Sequence, residues 1–266
     1  MTVLYSILSG IIGAILGLFP LSLGGHFVFF IKVNTTVQGT SSFSIGNDTV
    51  FLVYFGILCA LFLLYHEKII NLLKMIFDKS YINESDSGIL KELGICLAFY
   101  IPAVLCNVFF ENAGFSNILL CIFICVNTVV IYFSDYIEKS ELSEKNALYV
   151  TAVGAMLGGI TGFSEISAVF LAGLLSGKKA NSAIRFAFLL YIPVLLIKSV
   201  VYLVKACISG FTVNFGCGLL IFIFSFIASF FAAGIVKKAA VKRNFRLFAY
   251  YTTLFAVVVI YTFIKG

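Results

Sequence analysis

The chain has 266 residues and a formal net charge of +6; 61% of its residues are hydrophobic and only 11% are charged. A soluble domain carries roughly 25% charged residues, so too little polar surface is available here to cover a water-exposed globule. The basic excess sits on no soluble module, which argues against a nucleic-acid partner and assigns the charge to cytoplasmic loops.

Eight hydrophobic blocks follow one another, at about 3–33, 49–65, 89–110, 118–134, 147–176, 184–206, 211–236 and 245–264. A bilayer core of about 30 Å needs roughly 20 apolar helical residues to cross it. Backbone amides in lipid must be bonded internally, and these runs are continuous rather than short and alternating, so helices are predicted and not barrel strands. The expected fold is an all-α polytopic membrane protein, a single integral membrane domain over 1–266. The linkers 34–48, 78–88 and 135–146 are short and polar. The stretch 69–77, with Lys74, reads as an interfacial helix. No lysine or arginine precedes Lys32, so no cleavable signal peptide is expected. Nearly all of the seven cysteines lie inside apolar runs and read as small apolar residues. Cys121 and Cys125 stand one helical turn apart, but no histidine or second cysteine pair supports a metal there, and no metal ligands are assigned.

The first and fifth blocks differ from the rest. Each is about 30 residues long, too long for one crossing and short for two, and each is rich in glycine. Gly13-Ala-Ile-Leu-Gly17 matches Gly154-Ala-Met-Leu-Gly158, and a Phe and a Ser follow each within a few residues, Phe19 and Ser22 and then Phe163 and Ser164. Small-residue motifs also recur merely to let helices pack closely. The favoured reading is an inverted repeat, about 1–134 and 147–264, whose broken helices form two re-entrant hairpins that meet near the midplane, with about six transmembrane helices beside them. Charge placement agrees. With Lys237, Lys238, Lys242, Arg243 and Arg246 inside, Lys178, Lys179, Lys139, Lys145, Lys68, Lys74 and Lys79 also fall inside, and only Lys32, Lys205 and Lys265 fall clearly outside. Both termini are then expected outside.

Ionisable groups within a bilayer cost roughly 2.5–3.5 kcal/mol each on insertion scales and are therefore candidates for function. His26 lies in the first hairpin and Glu165 in the second; Lys198 sits within the sixth block and Arg185 near its start. Lys198 has the length to snorkel to an interface, and Glu92 and Glu111 lie near helix ends. Around His26 the run Phe19-Pro-Leu-Ser-Leu-Gly-Gly-His26 breaks the helix and frees backbone N–H groups that can bind a phosphate. Ser22 adds a hydroxyl and His26 a proton donor or acceptor. Gly162-Phe-Ser-Glu-Ile-Ser167 is a second break with hydroxyls. Together they predict a midplane site for an anion or polar headgroup, with His26 facing Glu165 across the hairpin tips.

These residues carry a family resemblance. Gly13–His26, GAILGLFPLSLGGH, and Thr161–Ser167, TGFSEIS, resemble the EGLTEFLPVSSTGH and PGFSRSG motifs of the undecaprenyl-diphosphate phosphatases of the bacitracin-resistance family. Ile101-Pro-Ala-Val104 and Phe188-Leu-Leu-Tyr-Ile-Pro193 resemble further family blocks, so the resemblance covers essentially the whole chain. It implies a multi-pass protein of the bacterial plasma membrane. The implied reaction is hydrolysis of undecaprenyl diphosphate, which recycles the lipid carrier of peptidoglycan synthesis. By that resemblance Ser22 and His26 are the catalytic candidates; Gly25, Gly162, Phe163, Ser164, Glu165 and Ser167 line the substrate; and a divalent cation is a candidate cofactor. A polyprenyl phosphate is the implied partner, and a homodimer is left open. The chain departs from the pattern at the acid and base positions. The two motif glutamates fall on Gly13 and Gly17, and the motif arginine, whose fork suits a diphosphate, falls on Glu165. Three functions therefore stay open: slow hydrolysis; binding or transport of a polyprenyl phosphate or other amphiphile without hydrolysis, with or without a coupled proton; or a structural or regulatory role in the membrane.

Overall fold

The computed structural model describes residues 2–29, 46–77, 84–110, 117–137 and 142–265. Lys32, Lys79, Glu111, Lys139 and most of the linker 34–48 lie outside them. The described chain is helical. α1 (Val3–Leu18) is followed by α2 (23–29), α3 (Asn47–Phe77), α4 (Glu84–Phe110) and α5 (Asn117–Ser134). Then come α6 (Glu144–Gly158), α7 (Glu165–Leu175), α8 (Ala180–Ser209), α9 (Phe215–Val241) and α10 (Arg246–Lys265). Local chemistry sets several starts. Thr2, Ser143, Ser164 and Asn214 precede α1, α6, α7 and α9, and each side chain accepts an N–H of the first turn.

Among the described residues five helices, α3, α4, α8, α9 and α10, are long and apolar enough to cross a bilayer. The chain is an all-α, multi-pass membrane protein, as its composition predicts. One expectation is corrected. Residues 69–77 are not a separate interfacial helix but the last turns of α3, because no proline or glycine interrupts the run after Tyr65.

The helices pack in pairs. α3 runs beside α8 and α9, α1 lies on α9, α6 lies on α4 and on α7, and α5 packs on α10. Both long blocks are broken helices, as the glycines suggest. In the first, α1 ends at Leu18 and the chain turns through Pro20 and Ser22 into α2. In the second, α6 ends at Gly158 and α7 starts at Glu165, and the two pack on one another as a hairpin.

Glycine governs the closest approaches. A Cβ on Gly10 of α1 would stand 2.6 Å from the Ile221 carbonyl oxygen of α9, whereas one on Gly234 would meet nothing within 4 Å. Gly10→Ala is therefore expected to destabilise the protein by about 1–3 kcal/mol, the usual cost of overpacking. Gly234→Ala should leave the thermal unfolding midpoint in detergent unchanged or raised.

The bundle has two chemically different ends. At one, Tyr65–Lys68 of α3, Glu92 of α4, Lys178 and Lys179 before α8, and Lys237 of α9 surround one cavity. The α5 end is tied to the α9–α10 turn. The Arg243 guanidinium donates to the Ser134 and Ile137 carbonyls (2.9 and 2.7 Å), and the Asp135 carboxylate accepts the Phe245 N–H (2.8 Å). At the other end the Asp48 carboxylate accepts the N–H groups of Thr212 and Val213 (2.6 and 2.7 Å), fixing the α8–α9 turn to the start of α3.

The junction of the two broken helices, a candidate headgroup site

The two breaks touch. A Cβ on Gly25 would stand 3.3 Å from the Gly162 Cα, and one on Gly24 would lie 3.8 Å from the Thr161 methyl. Gly162 adopts φ +103°, a conformation that L side chains rarely take, and a Cβ there would also strike Phe123 at 2.7 Å. Ser22 is held at φ +59° without the freedom of glycine. Such conformations persist where the surroundings over-determine them, and they concentrate at functional sites.

Hydrogen bonds hold each break. The Gly25 N–H donates to the Ser22 hydroxyl oxygen (3.1 Å). His26 Nδ1 lies 2.8 Å from the Ser22 carbonyl oxygen, which can only accept, so Nδ1 carries the proton in the neutral ring. His26 Nε2 then accepts from the Tyr251 hydroxyl of α10 (3.0 Å), and the imidazole stacks on Phe255 with ring centres 3.8 Å apart. Ser22 and His26 are both buried. They are brought together through the Ser22 backbone carbonyl, while the histidine's free nitrogen is turned to Tyr251.

In the second break, Ser164 caps α7 by accepting the Ser167 N–H (3.3 Å). Asn127, in the middle of the apolar helix α5, joins both breaks. Its Oδ1 accepts the Ser164 N–H (3.0 Å) and the Ser167 hydroxyl (2.8 Å), and its amide nitrogen reaches the Pro20 carbonyl at 3.5 Å. Phe163 is buried against Phe123, ring centres 5.6 Å apart. Asn127→Leu removes the acceptor of a buried N–H and is expected to cost about 1–3 kcal/mol of stability. Thermal unfolding beside Asn127→Asp, which keeps an acceptor, would check it.

The expected facing of His26 and Glu165 is not formed. Glu165, in the first turn of α7, makes a buried ion pair with Lys198 of α8. The Lys198 ammonium also lies 5.2 Å from the centre of the Tyr54 ring. Lys198 is thus no snorkelling residue: it is buried, and its charge is answered within the bundle. A carboxylate deep in an apolar bundle takes a full opposite charge in preference to a neutral ring, because the attraction is far stronger where water is excluded. Tyr100 and Tyr191 are fully buried near the same carboxylate.

The helix positions where the resemblance would place two glutamates are filled by packing. A Cβ on Gly13 would stand 2.7 Å from a Val53 methyl, and one on Gly17 2.6 Å from the Ile57 Cδ1, both on α3. Among the described residues no group of three or more His, Cys, Asp or Glu side chains is placed to hold a metal ion. The described residues therefore offer no set of three such ligands for the divalent cation that the resemblance raised. Cys121 and Cys125 pack against a small apolar cluster that includes Leu120 and Ile124.

Sequence reasoning reached the two breaks and their serines but missed Asn127, Tyr251 and the partner of Glu165. Asn127 carried a signal, a lone amide in the middle of the apolar run 118–134.

Comparison with known proteins gives the family. The family model described as Bacitracin resistance protein BacA matches residues 6–258. Several relatives are named undecaprenyl-diphosphatase. One from Acinetobacter baumannii is 26% identical over 97% of this chain and 94% of its own. One from Caldicellulosiruptor bescii is 26% identical over 98% and 97%, and one from Methanococcus maripaludis is 24% identical over 92% and 95%. With the match running through both broken helices and every long span, the chain belongs to the BacA bacitracin-resistance family.

Proposed function

We propose that the protein handles a polyprenyl phosphate or diphosphate lipid carrier in the bacterial plasma membrane, with the headgroup held where the two broken helices meet. The observation that carries this reading is the contact of Gly25 with Gly162. Ser22, His26, Ser164 and Ser167 are buried beside that contact, which supports the reading. The undecaprenyl-diphosphatase names of the relatives supply the reaction class, hydrolysis of undecaprenyl diphosphate to the monophosphate and phosphate. Within that class the expected turnover is low. Val53 and Ile57 stand against Gly13 and Gly17, so α1 offers the reaction no carboxylate. Serine and histidine remain. The Ser22 hydroxyl can donate to a phosphoryl oxygen. His26, whose Nδ1–H is held by the Ser22 backbone carbonyl, can accept a proton at Nε2, the nitrogen that faces the Tyr251 hydroxyl.

The same reading covers the architecture. Exchanging the first five helices for the last five maps α1–α9 onto α6–α4, and α3–α9 onto α8–α4, while α3–α8 and α5–α10 map onto themselves. The contact of Asn127 (α5) with α7 has its counterpart in that of Tyr251 (α10) with His26. This supports two repeats, about 1–134 and 147–264. Their opposite orientation rests on charge placement, with the basic end in the cytoplasm.

A second reading, binding or transport without hydrolysis, is favoured by the Glu165–Lys198 pair. Lys198 brings a cation close to where the family arginine would act, and Glu165 neutralises it. An incoming phosphate can take the ammonium from Glu165, so that headgroup binding exchanges one ion pair for another. The test is a titration of the purified protein with undecaprenyl phosphate and undecaprenyl diphosphate. His26→Ala and Ser164→Ala are expected to weaken binding about tenfold or more. Affinities equal to wild type in both variants would remove the site from the junction. Hydrolysis of the bound undecaprenyl diphosphate would remove the non-hydrolytic reading alone.

A further inference from the structure

The basic end of the bundle holds a cavity of about 770 Å³ that shares no residue with the junction. Five basic side chains line it, Lys68, Lys178, Lys179, Arg185 and Lys237, against the two carboxylates Glu67 and Glu92. Glu92 is engaged by Lys178 at 2.7 Å. Among the described residues no carboxylate pairs with Lys179, Arg185 or Lys237.

Three of these cations stand at the wrong end of a helix. Lys178, Lys179 and Arg185 surround the start of α8, where the backbone already presents the positive end of the dipole. The first turn of α8 contains no acidic residue, and its cap residue, Lys179, makes no side-chain capping bond. Beyond the pair of Lys178 with Glu92 and its contact with the Phe186 ring, fold stability gains nothing from that arrangement. An anion does, because the positive end of α8 and a cluster of cations border the same volume.

A second cavity, about 820 Å³, lies among the same four helices, α3, α4, α8 and α9, and the two share Leu189. Its lining is wholly apolar, with Phe62, Leu93, Leu97, Ile192 and Leu196 among it. A basic chamber joined to a hydrocarbon groove has the polarity of a phosphate-headed lipid, head in one part and chains in the other. We propose that this end of the protein is a second ligand site, which binds an anionic phospholipid through its phosphate. A phosphomonoester suits it best, having the charge to meet several unpaired cations.

The experiment titrates purified full-length protein in detergent with dioctanoylphosphatidic acid, dioctanoylglycerol and inorganic phosphate. Dioctanoylphosphatidic acid is expected to bind saturably. Inorganic phosphate should bind at least a hundredfold more weakly, and dioctanoylglycerol not measurably. The double variant Arg185→Gln/Lys237→Gln should lose at least tenfold in affinity for dioctanoylphosphatidic acid. Leu196→Trp, which fills the groove, should weaken the lipid and leave the phosphate unchanged. Lys179→Gln alone, a milder change at a helix start, should give a smaller loss and guards against misfolding of the double variant. Unchanged affinity in the charge variants overturns the site. Phosphate binding as tight as the lipid overturns the lipid assignment. A loss in His26→Ala with none in Arg185→Gln/Lys237→Gln would place the lipid at the junction and overturn a second site.

Discussion

Glu165→Gln and Lys198→Met are each expected to lower stability by about 3–5 kcal/mol, because either change removes one partner of a buried ion pair and leaves the other charge without it. The double replacement Glu165→Gln/Lys198→Met should cost much less than either single change, since it removes both charges together. Buried ion pairs are often no more stable than apolar residues of similar volume, so near wild-type stability is the expected result for the double variant. Thermal unfolding of the three variants in one detergent forms a double-mutant cycle. Additive losses would mean that the two residues act separately and that the pair does not hold α7 to α8.

The cycle also bears on function. If the pair only ties helices together, the stable double variant keeps its affinity for a polyprenyl phosphate. If Lys198 meets the headgroup in place of Glu165, the double variant folds and binds poorly.

How much of this was legible in the sequence varies from residue to residue. The helices were, because lipid forces continuous apolar runs and leaves only two kinds of spanning structure. The breaks were, because Pro20 and the paired glycines Gly24 and Gly25, and Gly158 and Gly159 in the second block, interrupt otherwise good helices. The partner of Glu165 was not. Lys198 lies 33 residues away on another helix, and its choice between snorkelling and pairing depends on the rotation of α8, which a hydrophobic run leaves open. The same holds for Val53 and Ile57. The sequence shows glycines at 13 and 17, but only the packing of α1 on α3 shows that side chains of α3 occupy the space around them. The pairing of His26 with Tyr251 joins residues 225 positions apart and follows from the placement of α10 beside α2.

The most direct test of the central account is phosphate release from undecaprenyl diphosphate by the purified protein, beside a family member that carries both motif glutamates and the motif arginine. General acid–base catalysis typically contributes about 10²–10⁴-fold, and removing one preorganised donor to the developing charge costs about 10²–10³-fold. With Gly13 and Gly17 packed against α3 and Glu165 bound to Lys198, the predicted turnover is at least about a thousandfold below that relative, and His26→Ala should lower what remains. The substrate should still bind, and Ser164→Ala should weaken that binding. Turnover equal to the relative, unaffected by Ser22→Ala and His26→Ala, would contradict the account by showing that the chemistry lies away from the junction.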